Sequence, residues 1–124
     1  MPKILIVDDS STNNLLLKYI FEEEGADVFL ASNGIEGLTM ANKIKPDIIL
    51  LDIMMPHLDG FHVLSKLRES AKLKKIPVIM ITARRDSASL KRAYQLGAVD
   101  YIMKPIGITE IIERVKFYII PHHK

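Results

Sequence analysis

A chain of 124 residues, 48% of them hydrophobic, is long enough for one packed domain, hardly long enough for two, and too apolar for a disordered segment. It contains no cysteine, which excludes disulfides, thiolate metal sites and cysteine nucleophiles. The net charge of +2 is too small to indicate a nucleic-acid partner, and no apolar stretch has the length of a membrane span or a signal peptide. We therefore expect a cytoplasmic domain that binds neither nucleic acid nor a membrane.

Five short apolar runs recur along the chain. The predicted strands are residues 4–7, 28–30, 48–51, 78–81 and 101–103. The first, third and fourth runs are almost continuously apolar rather than alternating. Such runs are typical of strands in a parallel sheet that helices cover on both faces.

Segments with helical spacing lie between the predicted strands. The first follows Ser10, Ser11 and Thr12, which are good N-cap residues, and ends at Gly25. Its apolar residues, Leu15, Leu16, Tyr19 and Ile20, are expected to face mostly the core. The other four lie within residues 35–42, 61–67, 90–96 and 108–119. Asp59-Gly60 is expected to begin the third helix, Gly97 to end the fourth and Pro121 to end the fifth.

The pattern is one strand followed by one helix, repeated five times with short connections. It predicts an α/β fold with a doubly wound, five-stranded parallel sheet in the order 2-1-3-4-5, flanked by five helices as in flavodoxin-like folds. The repeat uses the whole chain, so residues 1–124 are expected to form a single domain.

Acidic residues follow two of the predicted strands. Asp8 and Asp9 come after the first strand, and Asp52 comes after the third. In the order 2-1-3-4-5, functional groups gather at the carboxyl ends of strands 1 and 3, where the strand order reverses, so these carboxylates should form one cluster. At ~4 Å and an effective dielectric constant near 20, each pair of charges repels by about 4 kcal/mol, so the cluster needs a cation.

Two cations are candidates. Carboxylates clustered without His or Cys suit a hard ion such as Mg²⁺. Lys104 follows the fifth strand and should point to the same edge of the sheet, where Thr82 adds a hydroxyl after the fourth. This set of groups suits phosphoryl transfer, in which an aspartate can itself accept the phosphoryl group.

Taken in order, these residues resemble the receiver domain of bacterial two-component response regulators. The resemblance spans the whole chain. The matching motifs are the acidic pair Asp8-Asp9, Asp52 with Pro56 and Gly60 at spacings of four, Thr82-Ala83, and residues 97–105 ending in Lys104-Pro105.

The resemblance implies a phosphorylation site and a metal site. Asp52 is implied as the residue that receives a phosphoryl group from a phosphohistidine. Asp8, Asp9, Asp52 and the backbone carbonyl of Met54 are implied as the protein ligands of Mg²⁺. The chain is implied to catalyse only its own phosphorylation and slow dephosphorylation, so we do not expect it to be a dedicated enzyme.

The resemblance also implies how the signal is transmitted. Lys104 and Thr82 are implied to bind phosphoryl oxygens, and Tyr101 to be the aromatic switch residue that turns inward when Thr82 moves. The Lys104-Pro105 peptide bond is implied to be cis. The implied partners are a histidine kinase or histidine phosphotransferase docking near the first helix, and a downstream protein bound by helix 4, strand 5 and helix 5.

Several alternatives remain open. The chain could be a receiver fragment of a hybrid kinase, or an aspartyl phosphatase of the haloacid dehalogenase type, although Met54 stands where such enzymes have a second Asp. A flavodoxin-like flavin protein would use Ser10, Ser11 and Thr12 to bind phosphate. An adaptor that works without phosphorylation would not need Asp52.

Overall fold

The structure, a computed structural model, describes residues 1–119, so Pro121, expected to end the fifth helix, lies outside the described residues. Strands and helices alternate along the chain. The elements are β1 (Lys3–Val7), α1 (Ser11–Glu23), β2 (Asp27–Ala31), α2 (Gly34–Ile44), β3 (Ile48–Leu51), α3 (Gly60–Glu69), β4 (Val78–Thr82), α4 (Ser87–Gln95), β5 (Asp100–Met103) and α5 (Ile108–Ile119).

All strand pairs are parallel, and the sheet has the order β2-β1-β3-β4-β5. The predicted fold class and strand order are therefore confirmed. The strands observed are up to two residues longer than predicted, because their polar ends such as Lys3 and Asp27 pair in the sheet although they are exposed. Among the described residues, no helix is both long and apolar enough to cross a membrane.

Alternate residues of each central strand face opposite layers of the protein. In β1, Leu5 and Val7 contribute to the core beneath α2, α3 and α4, whereas Ile4 and Ile6 contribute to the core beneath α1 and α5. Both layers are apolar and buried, which explains why the sequences of β1, β3 and β4 do not alternate with polar residues.

Local signals fix the boundaries at both ends of the helices. Ser10 caps α1 by accepting a hydrogen bond from the Asn13 backbone, and Asp59 caps α3 in the same way through His62. Gly25 and Gly97 follow α1 and α4 with φ values of +91° and +105°, a region in which glycine is unstrained.

The expectation that Leu15, Leu16 and Tyr19 face mostly the core is wrong. Leu15 and Tyr19 are 62% and 66% exposed, and Leu16 is also exposed. The buried face of α1 consists of Asn14, Leu17, Ile20 and Phe21. Asn14, Leu17 and Phe21 have the i, i+3, i+7 spacing of one helix face, so a polar residue lies on the buried face while the apolar residues beside it lie on the exposed face.

Gly60 lies directly behind Asp52. A methyl group added at Gly60 would press on the carbonyl oxygen of Asp52 and lie 2.7 Å from Ile53 Cα, both of which are backbone atoms that cannot move aside independently. The backbone N–H of Gly60 also donates to the Ile53 carbonyl at 2.9 Å. The start of α3 is therefore packed against the backbone that positions Asp52.

Gly60→Ala is expected to lower the free energy of unfolding by about 1–3 kcal/mol, because overpacking outweighs the better helix propensity of alanine. Urea unfolding followed by circular dichroism measures this change. Gly107→Ala is the matched control, since a methyl group there would meet Glu110 Cβ at an ordinary 3.7 Å. Equal stability of the two variants would contradict the packing argument.

Candidate functional site

The register of the sheet brings the predicted acids together. Val7 pairs with Leu51 at the carboxyl ends of β1 and β3, so Asp8 and Asp52 leave the sheet side by side. The backbone N–H of Asp52 donates to the Val7 carbonyl at 3.0 Å, which extends the pairing of the two strands by one step. The Asp8 backbone N–H donates likewise to Ala31 of β2 at 3.1 Å.

Asp8, Asp9 and Asp52 form one acidic cluster, in which one carboxylate oxygen from each residue lies within 4.8 Å of the other two. Asp8 and Asp52 are buried, whereas Asp9 is exposed. Backbone N–H groups orient the two buried carboxylates: Ser10 donates to Asp8 Oδ1 at 2.9 Å, and Met54 donates to Asp52 Oδ1 at 3.1 Å. The Met54 side chain itself points to solvent and is 54% exposed.

Lys104 bridges the two buried acids. Its Nζ donates to Asp8 Oδ2 and to Asp52 Oδ2, at 2.9 Å in each case. The Lys104 backbone N–H donates to the Thr82 carbonyl at 2.8 Å, which holds the residue in line with β4, and its peptide bond to Pro105 is cis, as the resemblance implies. One ammonium group therefore links the ends of β1, β3 and β5.

Burial and charge act in opposite directions on the pKa values of this bridge. Burial raises the pKa of the Asp8 carboxyl, and the hydrogen bonds from Ser10 and Lys104 only partly oppose this effect. Burial by itself would lower the pKa of Lys104, but its hydrogen bonds to Asp52 and Asp8 outweigh burial and the pKa is raised. Lys104 therefore stays charged well beyond neutral pH.

The donor set of the cluster fits Mg²⁺. It offers carboxylate oxygens only, with no His or Cys, and Lys104 compensates only one of the three negative charges. Asp9 is not an ion-pair partner of Lys104 and faces solvent, so it remains available to a cation. Asp8, Asp9 and Asp52 are the side chains that could hold the ion.

Thr82 and Tyr101 are joined through the loop that follows β4. Thr82 is buried, and its Oγ1 accepts a hydrogen bond from the Arg84 backbone N–H at 3.3 Å. The Tyr101 hydroxyl donates to the carbonyl oxygen of the same Arg84 at 2.9 Å. The Tyr101 side chain is buried in this structure, with its hydroxyl held by the loop after β4.

Sequence reasoning missed two residues next to the site. Asn14 is buried in α1 and its Nδ2 donates to the Asp8 carbonyl at 2.8 Å. Arg85 reaches across to the site's lysine, where its Nη2 donates to the Lys104 carbonyl at 3.0 Å. The spacing of Asn14 from Leu17 and Phe21 could have indicated its burial, but no sequence signal indicated the contact of Arg85.

Comparisons with known proteins agree with this geometry. The sequence model of the response regulator receiver domain matches residues 4–116. The chain belongs to the response regulator receiver domain family. Receiver domains are parts of two-component signalling systems, and the acid cluster of this receiver domain is consistent with Mg²⁺ binding.

Two relatives illustrate the range of proteins that contain this domain. The polar-differentiation response regulator DivK of Brucella anthropi is 37% identical over 120 residues, which cover 96% of this chain and 98% of DivK. The regulatory protein PhoP of Bacillus subtilis, which controls alkaline phosphatase synthesis, is 42% identical over 114 residues, covering 92% of this chain and 47% of PhoP. The receiver domain spans about half the length of the transcriptional regulators it matches.

One similar solved structure contains a metal ion. The receiver domain of the sensor histidine kinase PA1611 from Pseudomonas aeruginosa superimposes with a TM-score of 0.87 and 27% identity, covering 95% of this chain and 97% of that one. That protein contains a magnesium ion coordinated in its active-site cleft.

Proposed function

We propose that this receiver domain, residues 1–124, is a phosphoacceptor in a cytoplasmic two-component system or phosphorelay, in which Asp52 takes a phosphoryl group from a phosphohistidine with Mg²⁺ as cofactor. The observation that supports this most is the position of Asp52. It is buried beside Asp8 and ion-paired with Lys104, at the edge where the strand order reverses.

The reaction follows from the groups present. A carboxylate oxygen of Asp52 attacks the phosphorus atom, a P–O bond forms, and the P–N bond to the donor imidazole breaks with its electron pair returning to the ring. Asp8, Asp9, Asp52 and the Met54 carbonyl would hold Mg²⁺, which would supply positive charge to neutralise the phosphoryl oxygens. Lys104 exchanges its ion pair with Asp52 for one with a phosphoryl oxygen, and the Thr82 hydroxyl donates to another.

The site lacks what a rapid phosphatase would need. Haloacid dehalogenase enzymes have a second carboxylate two residues after the nucleophile, and here that position is Met54, whose thioether cannot transfer a proton. The acyl phosphate on Asp52 should therefore persist between phosphorylation and slow hydrolysis, which suits a signal and not a catalytic cycle.

Acetyl phosphate is expected to add one phosphoryl group to the chain in the presence of Mg²⁺, and intact-mass spectrometry measures it. Asp52→Ala should remove the labelling, excess chelator should prevent it, and Asp9→Asn should raise the Mg²⁺ concentration required. Asp27→Ala, which changes an exposed acid at the far end of β2, is the control and should label normally. Full labelling of Asp52→Ala, or of the wild type in chelator, contradicts the assignment.

The phosphohistidine donor is proposed to dock on α1. Leu15, Leu16 and Tyr19 form an exposed apolar surface on this helix, and α1 begins only two residues after Asp9. Exposed apolar residues grouped on one helix are typical of protein interfaces. A donor bound there would bring its histidine toward the acid cluster.

Replacing Leu16 and Tyr19 together with serine should slow phosphotransfer from a histidine phosphotransferase or kinase by about tenfold or more, since two apolar interface contacts are lost. Labelling by acetyl phosphate should keep its wild-type rate, because that small donor needs no docking surface. Ile35→Ser is the control: Ile35 is an equally exposed apolar residue, but it lies on α2. A parallel loss of both reactions would mean that α1 serves the fold and not the docking of the donor.

The signal is proposed to pass from Thr82 to Tyr101 through Arg84. The Thr82 hydroxyl accepts a hydrogen bond from the Arg84 N–H, and this bond breaks if the hydroxyl turns to the phosphoryl group. The Arg84 carbonyl, which holds the Tyr101 hydroxyl, then moves with the same loop. This movement would reshape the surface of α4, β5 and α5, where Tyr94, Met103 and Ile108 are exposed. We propose that surface as the binding face for a downstream protein.

Thr82→Ala should still accept a phosphoryl group on Asp52, whereas the chemical-shift changes at Arg84, Arg85 and Tyr101 on phosphorylation should shrink markedly. Thr82→Ser keeps the hydroxyl and should retain most of these changes. Two-dimensional ¹H–¹⁵N NMR before and after treatment with acetyl phosphate makes the comparison. If Thr82→Ala shows the wild-type pattern of shifts, the proposed route through Arg84 is wrong.

A further inference from the structure

A second recess lies on the flank of α1, outside the acid cluster. It has a volume of about 300 Å³ and is formed where the start of α1, the end of β2 and the start of α2 meet. Its lining residues are Ser11, Asn14, Leu15, Leu30, Ser32 and Glu36. Leu15 also belongs to the apolar surface proposed above for docking the donor, and the proposed phosphorylation chemistry itself uses none of the lining side chains.

Asn14 is the unusual residue of this lining. It is only 5% exposed, and its Nδ2 is engaged by the Asp8 carbonyl at 2.8 Å. That contact fixes the orientation of the amide, because a carbonyl oxygen can only pair with the nitrogen end. Asn14 Oδ1 is buried and accepts no hydrogen bond within residues 1–119, and a buried acceptor without a partner is energetically unfavourable. A ligand that donates a hydrogen bond would remove this cost.

Glu36 places a negative charge on the rim of the same recess. One of its oxygens accepts hydrogen bonds from the Ser32 backbone N–H and hydroxyl, at 2.6 and 3.1 Å. The other oxygen accepts none in the described part of the chain. The helix starts of α1 and α2 each contribute a partial positive charge of about +0.5 nearby, but the full charge of Glu36 and the exposed carboxylate of Asp9 oppose it.

We propose that this recess binds an ammonium or guanidinium group carried on an alkyl chain. The N–H donors would pair with Asn14 Oδ1 and the free Glu36 oxygen, and the alkyl chain would lie against Leu15 and Leu30. Because Asn14 Oδ1 is covered, a lining side chain must move to admit the donor, and Leu15, which is largely exposed, is free to do so. A free amine or a basic side chain of another protein could supply this group.

Ligand binding in the recess should also change the NMR signals of the acid cluster. The amide that would accept the ligand's hydrogen bond is the one that donates to Asp8, and hydrogen bonds in a chain polarise one another. The neighbouring amide signals of Asp8 and Asp9 should therefore respond to occupancy, although no ligand atom touches either residue.

The test titrates the unphosphorylated ¹⁵N-labelled chain with butylammonium chloride, and separately with butan-1-ol as a neutral ligand of the same length. Butylammonium should shift the Asn14 side-chain amide and the Ser32 backbone amide in a saturable way, and butanol should not. Glu36→Gln removes the charge while its amide oxygen can still accept from Ser32, and it should weaken butylammonium about tenfold or more. Glu69→Gln, the same change at an exposed position on α3, should bind as the wild type does.

A further titration with Nα-acetyl-lysine N-methylamide distinguishes the two sources. Saturable binding at least as tight as that of butylammonium identifies a basic side chain of a protein as the natural ligand, whereas binding of butylammonium alone identifies a small free amine. The proposal is overturned if butylammonium produces no saturable shifts at Asn14 and Ser32, if butanol produces the same shifts, or if Glu36→Gln binds butylammonium as tightly as Glu69→Gln.

Discussion

The ion pairs of Lys104 with Asp8 and Asp52 are the interaction on which the rest of the site depends. Two buried carboxylates at the ends of adjacent strands repel each other, and burial raises the pKa of the Asp8 carboxyl. The Lys104 Nζ lies 2.9 Å from an oxygen of each carboxylate, and its positive charge offsets their repulsion. Removing one partner from such a buried arrangement leaves an uncompensated charge, which costs about 3–5 kcal/mol.

The backbone around Lys104 and the two buried acids fixes the position and orientation of their carboxylates. Gly60 leaves no room for movement behind Asp52, and N–H groups of Ser10 and Met54 orient the carboxylates. The acids are thus held in place by main-chain atoms, while the cation that balances them is at the end of a flexible side chain. Under the proposed function, this division would allow an incoming phosphoryl group to recruit Lys104 without rebuilding the strand ends.

The fold and the three acids could be predicted from sequence because both rest on simple regularities. Continuous apolar runs imply buried parallel strands, and acids directly after two of those runs must meet at the strand ends. The phase of α1 could not be predicted from apolar content alone, since Leu15, Leu16 and Tyr19 are apolar but exposed while Asn14 is polar but buried. The bond from Asn14 to the Asp8 carbonyl, which compensates the burial of that amide nitrogen, becomes visible only in three dimensions. The same holds for the contact of Arg85 with the Lys104 carbonyl, which joins two loops far apart in sequence.

We infer that Lys104 stabilises the fold chiefly by balancing the buried acids. A double-mutant cycle with Lys104→Met and Asp52→Asn, measured by urea unfolding in excess chelator, tests this inference. Lys104→Met should destabilise the wild type strongly and the Asp52→Asn background less, with a coupling energy of about 1–3 kcal/mol. If Lys104→Met has the same effect in both backgrounds, the lysine contributes through packing alone and the inference is wrong.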